Sequence, residues 1–265
     1  TLPARRLTSI IRELPEESVT IEGKKNFAAT LACASSQFRI QGLPPEDFPI
    51  FPALEQQETV TVSPAVLASL IAQTAFAMSM EETRFILNGT LLKLQGSTLT
   101  LAATDGRRLA IATSALDAAG RELNVVVPAK TIRELSRLLQ DTSDETVRIA
   151  PLKDNQLLFE FGGVTVITRL IDGQFPPYES VIPAPSTTML TCNRQLLMGA
   201  IRRASLMTTP TSQAVVFELA PDSLTISKES AELGSAHEQL PVTYGGQAMT
   251  IAFNPEFWLE VLKVL

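Results

Sequence analysis

Three places in the chain carry residue types that could do chemistry. Thr104-Asp105-Gly106-Arg107-Arg108-Leu109 sets a carboxylate beside two guanidiniums, Ile171-Asp172-Gly173 offers a second carboxylate, and His237 is the only histidine. An acid among arginines could assist hydrolysis, and a histidine could move a proton. Neither idea finds a partner. His237 lies in a polar run that reads as a loop or strand edge, and no Ser-His or Cys-His arrangement suggests itself. Cys33 and Cys192, the only cysteines, are far apart and lack metal or redox spacing. Neither phosphate-cradling pattern, G-x-x-x-x-G-K-[ST] or G-x-G-x-x-G, occurs. The expectation is a protein that is no enzyme, holds no metal and needs no cofactor. What remains for 104–109 is a turn. Asp-Gly between apolar runs is a hairpin signal, because Gly106 tolerates positive φ and Asp105 can bond its own backbone.

The elements that must position this turn recur along the chain. Residues 2–14 (LPARRLTSIIREL), 127–139 (VPAKTIRELSRLL) and 253–265 (FNPEFWLEVLKVL) each place an apolar residue and a Pro or Asn before a helical pattern. Residues 60–79 match 189–208, with Ala75 falling on Ala204 and Met78 on Met207. Short β-rich runs follow each of these helices, at 91–95, 98–104 and 107–113, then at 214–219 and 223–227. Phe48-Pro49 returns as Phe175-Pro176. The repeating unit is helix, strands, second helix, strands, with a period of about 126 residues. This predicts an α+β fold of repeated domains, each with two helices packed on antiparallel sheets. Residues 1–56 form the back half of one copy, 57–184 a complete copy and 185–265 the front of a third. Three full copies need about 380 residues, so the 265-residue chain is expected to lack parts at both ends.

Composition fits a folded, water-exposed protein: 45% hydrophobic and 19% charged residues. No apolar stretch is long enough to span a bilayer, no secretory segment opens the chain, and cysteine usage points to a reducing cytosol. The net charge of −6 argues against a uniformly basic nucleic-acid binder. Its distribution argues otherwise. Helical segments 3–14, 128–140 and 193–207 hold Arg5, Arg6, Arg12, Lys130, Arg133, Arg137, Arg194, Arg202 and Arg203 but only Glu13 and Glu134 as acids. Lys130, Arg133 and Arg137 stand at i, i+3 and i+7, along one side of a helix, while Ile132, Leu135 and Leu139 take the other. Three such helices in an acidic chain point to a shared anionic partner, nucleic acid, met through phosphate without sequence readout.

TDGRRL at 104–109, RFILNG at 84–89, LIDGQFPPY at 170–178, VPAK at 127–130 and IAFN at 251–254 resemble the bacterial DNA polymerase III beta sliding clamp family along essentially the whole chain. The resemblance implies head-to-tail homodimers of three similar domains per subunit, closed into a ring around duplex DNA in the bacterial cytoplasm. It implies a processivity factor whose pocket takes short peptides from polymerases, the clamp loader and repair proteins. Carried over by motif, the pocket residues are Leu87, Thr104, Gly106, Arg107, Arg108, Leu109, Pro176 and Val181. Arg108 is expected to meet the peptide's carbonyls or a carboxylate. The DNA-facing residues are Arg5, Arg12, Lys130, Arg133, Arg137, Arg202 and Arg203, and the dimer contact involves Arg6, Phe38, Ile40, Leu206 and Met207. Two departures stand out. Ser180 occupies a position commonly basic in the family, and the family's C-terminal M-P-M-type tail is not found before Leu265. The rival reading is a peptide-binding hub that keeps the pocket and never encircles DNA.

Overall fold

The computed structural model of the 265-residue chain describes all residues except 16–17, 49–58, 118–120, 141, 143–144 and 187, and the side chain of Glu82. Two compact units divide it, Thr1–Glu55 and Gln56–Leu265. The boundary expected between 56 and 57 lies outside the described residues, as does Pro49 of the recurring Phe-Pro pair.

In the first unit, α1 (Ala4–Glu13) precedes an antiparallel sheet of β1 (Thr20–Gly23), β2 (Ala28–Cys33) and β3 (Ser36–Gln41), in that spatial order. Leu7 and Ile10 of α1, with Leu2, pack on Ala29, Leu31 and Ile40. Arg5, Arg6 and Arg12 stay exposed. Ile40, expected at a dimer contact, is only 2% exposed. Strand alternation puts it on the face that α1 covers, so its side chain belongs to this unit's own core. Phe38 shares that face and remains exposed.

The second unit contains two successive helix-and-sheet assemblies. The first comprises β4 (Val60–Val62), α2 (Pro64–Thr74), β5 (Gly89–Gln95), β6 (Thr98–Thr104), β7 (Leu109–Ala115), β8 (Leu123–Pro128), α3 (Ala129–Leu138), β9 (Val147–Leu152), β10 (Gln156–Phe161) and β11 (Val164–Arg169). Its strands form two antiparallel sheets, ordered β7-β6-β5-β8 and β11-β10-β9-β4. The second assembly comprises β12 (Leu190–Thr191), α4 (Arg194–Ser205), β13 (Val215–Ala220), β14 (Ser223–Ser230), β15 (Gly234–Pro241), β16 (Thr243–Tyr244), β17 (Met249–Phe253) and α5 (Pro255–Val264). Here the sheets run β15-β14-β13-β17 and β12-β16.

Local chemistry sets the helix starts. Pro64 and Pro255 take the first helical turn, where a missing N–H costs nothing. Asn193 caps α4 by accepting the N–H groups of Gln195 and Leu196, and Asn254 caps α5 by accepting that of Glu256. Each assembly then buries its helices against its sheets. Leu67 and Ile71 of α2 and Ile132 and Leu135 of α3 join Leu99, Leu101 and Phe159 in one core. Leu197 and Ile201 of α4, Phe217 of β13 and Leu262 of α5 share the other. The strand expected at 107–113 begins two residues later, because Arg107 and Arg108 remain in the turn. Among the described residues no helix is long and apolar enough to cross a membrane.

Helix α3 therefore separates packing from charge: Leu135 is fully buried, and Arg133, two residues away, is exposed. Leu135→Ala should cost about 2–4 kcal/mol of unfolding free energy, the usual range for a buried leucine. Arg133→Ala should stay within about 0.5 kcal/mol. Urea unfolding of both variants checks the contrast.

Candidate functional site

The β6–β7 turn is longer than the Asp-Gly signal suggests. Pairing runs down to Thr104 opposite Leu109, leaving Asp105, Gly106, Arg107 and Arg108 as a four-residue loop. Gly106 sits at φ 86°, a backbone state that side-chain-bearing residues rarely adopt. The loop is closed by its own polar groups. Thr104 Oγ1 accepts the Gly106 N–H at 3.0 Å and donates to the Arg108 carbonyl at 2.6 Å. Asp105 Oδ1 accepts the N–H groups of Arg107 and Arg108 at 2.9 and 3.1 Å. Arg84 Nη1 donates to the Asp105 carbonyl from outside, at 3.1 Å. Such side-chain-to-backbone bonds hold a turn where no ladder can.

Beside this loop opens a cavity of about 720 Å³. Leu87, Thr104, Gly106, Arg107, Arg108, Leu109, Pro176 and Val181 all line it, so the eight residues carried over by motif are brought together. Ile111, Pro177, Tyr178, Ile182 and Pro183 complete the wall and were not anticipated. Signals were available for three of them: Ile111 alternates with Leu109 along β7, and Pro177 and Tyr178 directly follow the Phe-Pro pair. The lining is mostly apolar, with arginine on one rim.

The second wall is fixed by Tyr178. Its ring is buried with Leu91 and Ala102 and meets Phe175 edge-on, with 6.3 Å between centroids. Burial raises the phenol pKa, and the Glu179 carboxylate adds to the effect, so the hydroxyl stays neutral. Lys93 Nζ lies 3.4 Å from Glu179 Oε1, tying this segment to β5. Ser180, where a basic residue was expected from the family, donates its hydroxyl to the Pro177 carbonyl at 2.8 Å. It therefore stiffens the wall locally and brings no positive charge.

Arg108, expected as a ligand-binding donor, is already bonded within the protein. Its guanidinium donates to Asp105 Oδ2 at 3.0 Å, to the Phe76 carbonyl at 2.7 Å and to Glu260 on α5. It also stands 4.5 Å above the Phe257 ring. Each of its three nitrogens is engaged before any ligand arrives. Sequence reasoning missed Glu260 and Phe257 because they lie in another repeat; their i, i+3 spacing on α5 was the only trace.

The cationic helices show a similar mixture. Lys130, Arg133 and Arg202 are exposed. Arg133 Nη2 lies 2.7 Å from Met80 Sδ, and Arg137 Nη2 lies 2.5 Å from Glu134 Oε1. Arg203 forks onto Glu238 of β15, with Nε and Nη2 at 2.9 and 2.6 Å from its two oxygens. Two of the expected DNA-facing arginines thus carry an acidic neighbour. Leu206 is exposed just past α4 and Met207 is half-buried. Among the described residues no group of three His, Cys, Asp or Glu side chains could hold a metal ion.

Family models for the DNA polymerase III beta subunit match the chain three times in order: the N-terminal domain over 1–52, the central domain over 61–177 and the C-terminal domain over 179–265. A beta sliding clamp of Chlamydia muridarum is 31% identical over 264 residues, spanning 99% of this chain and 71% of that protein. The solved sliding clamp of Bacillus subtilis superposes with a TM-score of 0.90 at 34% identity, over 100% of this chain and 70% of that one. A sliding clamp of Bartonella birtlesii, solved bound to griselimycin, gives 0.88 at 31% identity, over 100% and 72%.

The Arg203–Glu238 fork makes a pH prediction. The hydrogen bond from Arg203 comes first among the causes that hold the Glu238 carboxyl below its ordinary range. Its contribution to stability is therefore complete above the unfolded glutamate value of about 4.3 and disappears as pH falls through the lower folded value. Between about pH 5 and pH 3, thermal melts of Glu238→Gln should lose less stability than those of the parent protein.

Proposed function

We infer how the chain works from the family to which it belongs, the DNA polymerase III beta subunits or beta sliding clamps. It is a DNA polymerase processivity factor and does no chemistry itself. The observation that carries the reading of its surfaces is the cavity at 104–109. Two segments remote in sequence converge on one apolar socket with an arginine rim. It takes a short segment of a replicative polymerase, a clamp loader or a repair protein, whose Leu or Phe side chains enter between Leu109 and Val181.

The exposed cations of α1, α3 and α4 meet DNA phosphate without reading sequence, Arg5, Arg12, Lys130, Arg133 and Arg202 most directly. Arg137 and Arg203 add weaker fields, because Glu134 and Glu238 stand beside them. Two copies of the full subunit close head to tail around the duplex in the bacterial cytoplasm. Arg6, Phe38, Leu206 and Met207 supply side chains to that contact. Ile40 contributes through its place on β3, which lies at the edge of its three-stranded sheet among the described residues. Closure makes the grip topological, so individual phosphate contacts stay weak enough for sliding. A polymerase held in the socket then gains a high effective concentration at the primer end.

Leu109→Asp should weaken binding of a Leu- and Phe-bearing peptide by more than about tenfold, read by fluorescence anisotropy. Replacing Arg133, Arg137, Arg202 and Arg203 with Ala should leave that binding intact and shorten the products of primer extension on circular DNA with a clamp loader present. Product lengths matching those of the parent protein would favour a hub that never encircles DNA.

A further inference from the structure

We propose that Glu260, together with Phe257, is a positioning residue for the socket: from α5 it holds Arg108 in place and so sets how well the socket binds. The inference rests on reading that socket as the peptide site.

Arg108 and Leu109 line two cavities, the 720 Å³ socket and a neighbouring one of about 360 Å³ that reaches Phe257 and Val261 on α5. With Ile111, which also lines both, they form a partition wall. Nothing on α5 lines the socket itself. The guanidinium behind the wall is nonetheless held from both sides, by Asp105 and the Phe76 carbonyl of one assembly and by Glu260 and the Phe257 ring of the other. Its side chain is 18% exposed, and its link to Glu260 crosses 152 residues of sequence.

A partly buried arginine stripped of one carboxylate must turn toward other acceptors or toward water. Arg108 lines both cavities, so a released head can enter the socket as well as the cavity beside Phe257. Glu260 thus keeps the Arg108 head out of the space that an apolar anchor would fill, and keeps Leu109 in register beside it. Affinity in one repeat becomes coupled to the seating of a helix from the next.

The test uses the full chain and a blocked pentapeptide of Ala, Leu and Phe with no ionisable group, so that the change of charge at Glu260 acts only through the protein. Dissociation constants are measured at about 0.05 M sodium chloride, where screening is weak. Glu260→Gln should weaken binding about three- to tenfold at low salt. Glu260→Asp, which restores the charge on a shorter stem, should lie between. Equal affinities for Glu260→Gln and the parent, or Glu260→Asp binding no better than Glu260→Gln, would overturn the proposal. If Glu260→Gln fails to fold, Glu260→Asp and Phe257→Leu are read in its place, with weakened low-salt binding expected and unchanged binding overturning. Should Leu109→Asp bind the peptide as well as the parent does, the socket reading itself fails, a result distinct from any outcome at Glu260.

Discussion

A helix laid on a sheet has to bury one stripe of side chains, and that requirement determines what the opposite stripe displays. In α3 the buried stripe is Ile132 and Leu135, so Lys130, Arg133 and Arg137 face away from the core. In α4 the stripe of Leu197, Ala200, Ile201 and Ala204 leaves Arg202 and Arg203 outward. The packing that stabilises each assembly is thus the same event that presents its cations. A chain of net charge −6 can in this way carry strongly basic helix faces.

Those faces are not uniform. Where an acid lies within reach, as Glu134 does for Arg137 and Glu238 does for Arg203, the field of the pair is mostly local. Exposed pairs of this kind add little stability, but they reduce the positive charge offered to a polyanion. A surface built to slide along phosphate benefits from contacts that are numerous and weak. Tempering some cations with neighbouring carboxylates moves the surface in that direction.

The socket is organised on a different principle. Its walls come from a self-bonded turn and from a proline-rich segment pinned by one buried tyrosine, with few freely rotating parts. Pre-organised walls lower the ordering cost of binding. The two adjacent arginines divide accordingly. Arg107 is exposed at the rim, whereas Arg108 is bound into the protein and behaves as part of the frame.

The repeat and the helix faces were legible in the sequence, because each depends on contacts within a few residues or on a recurring pattern; the eight socket residues were reached only through the family resemblance. Periodicity reports which stripe of α3 is buried, and Asn254 announces a helix start wherever the rest of the chain goes. Only the tertiary structure decided which acid each arginine meets. Glu260 reaches Arg108 across 152 residues, and Glu238 reaches Arg203 from a strand edge. It also decided that Ile40 faces its own core and that Arg108 is framed by α5. Spacing fixes the face on which a side chain stands; what stands opposite depends on how separate elements pack, and no local pattern encodes that.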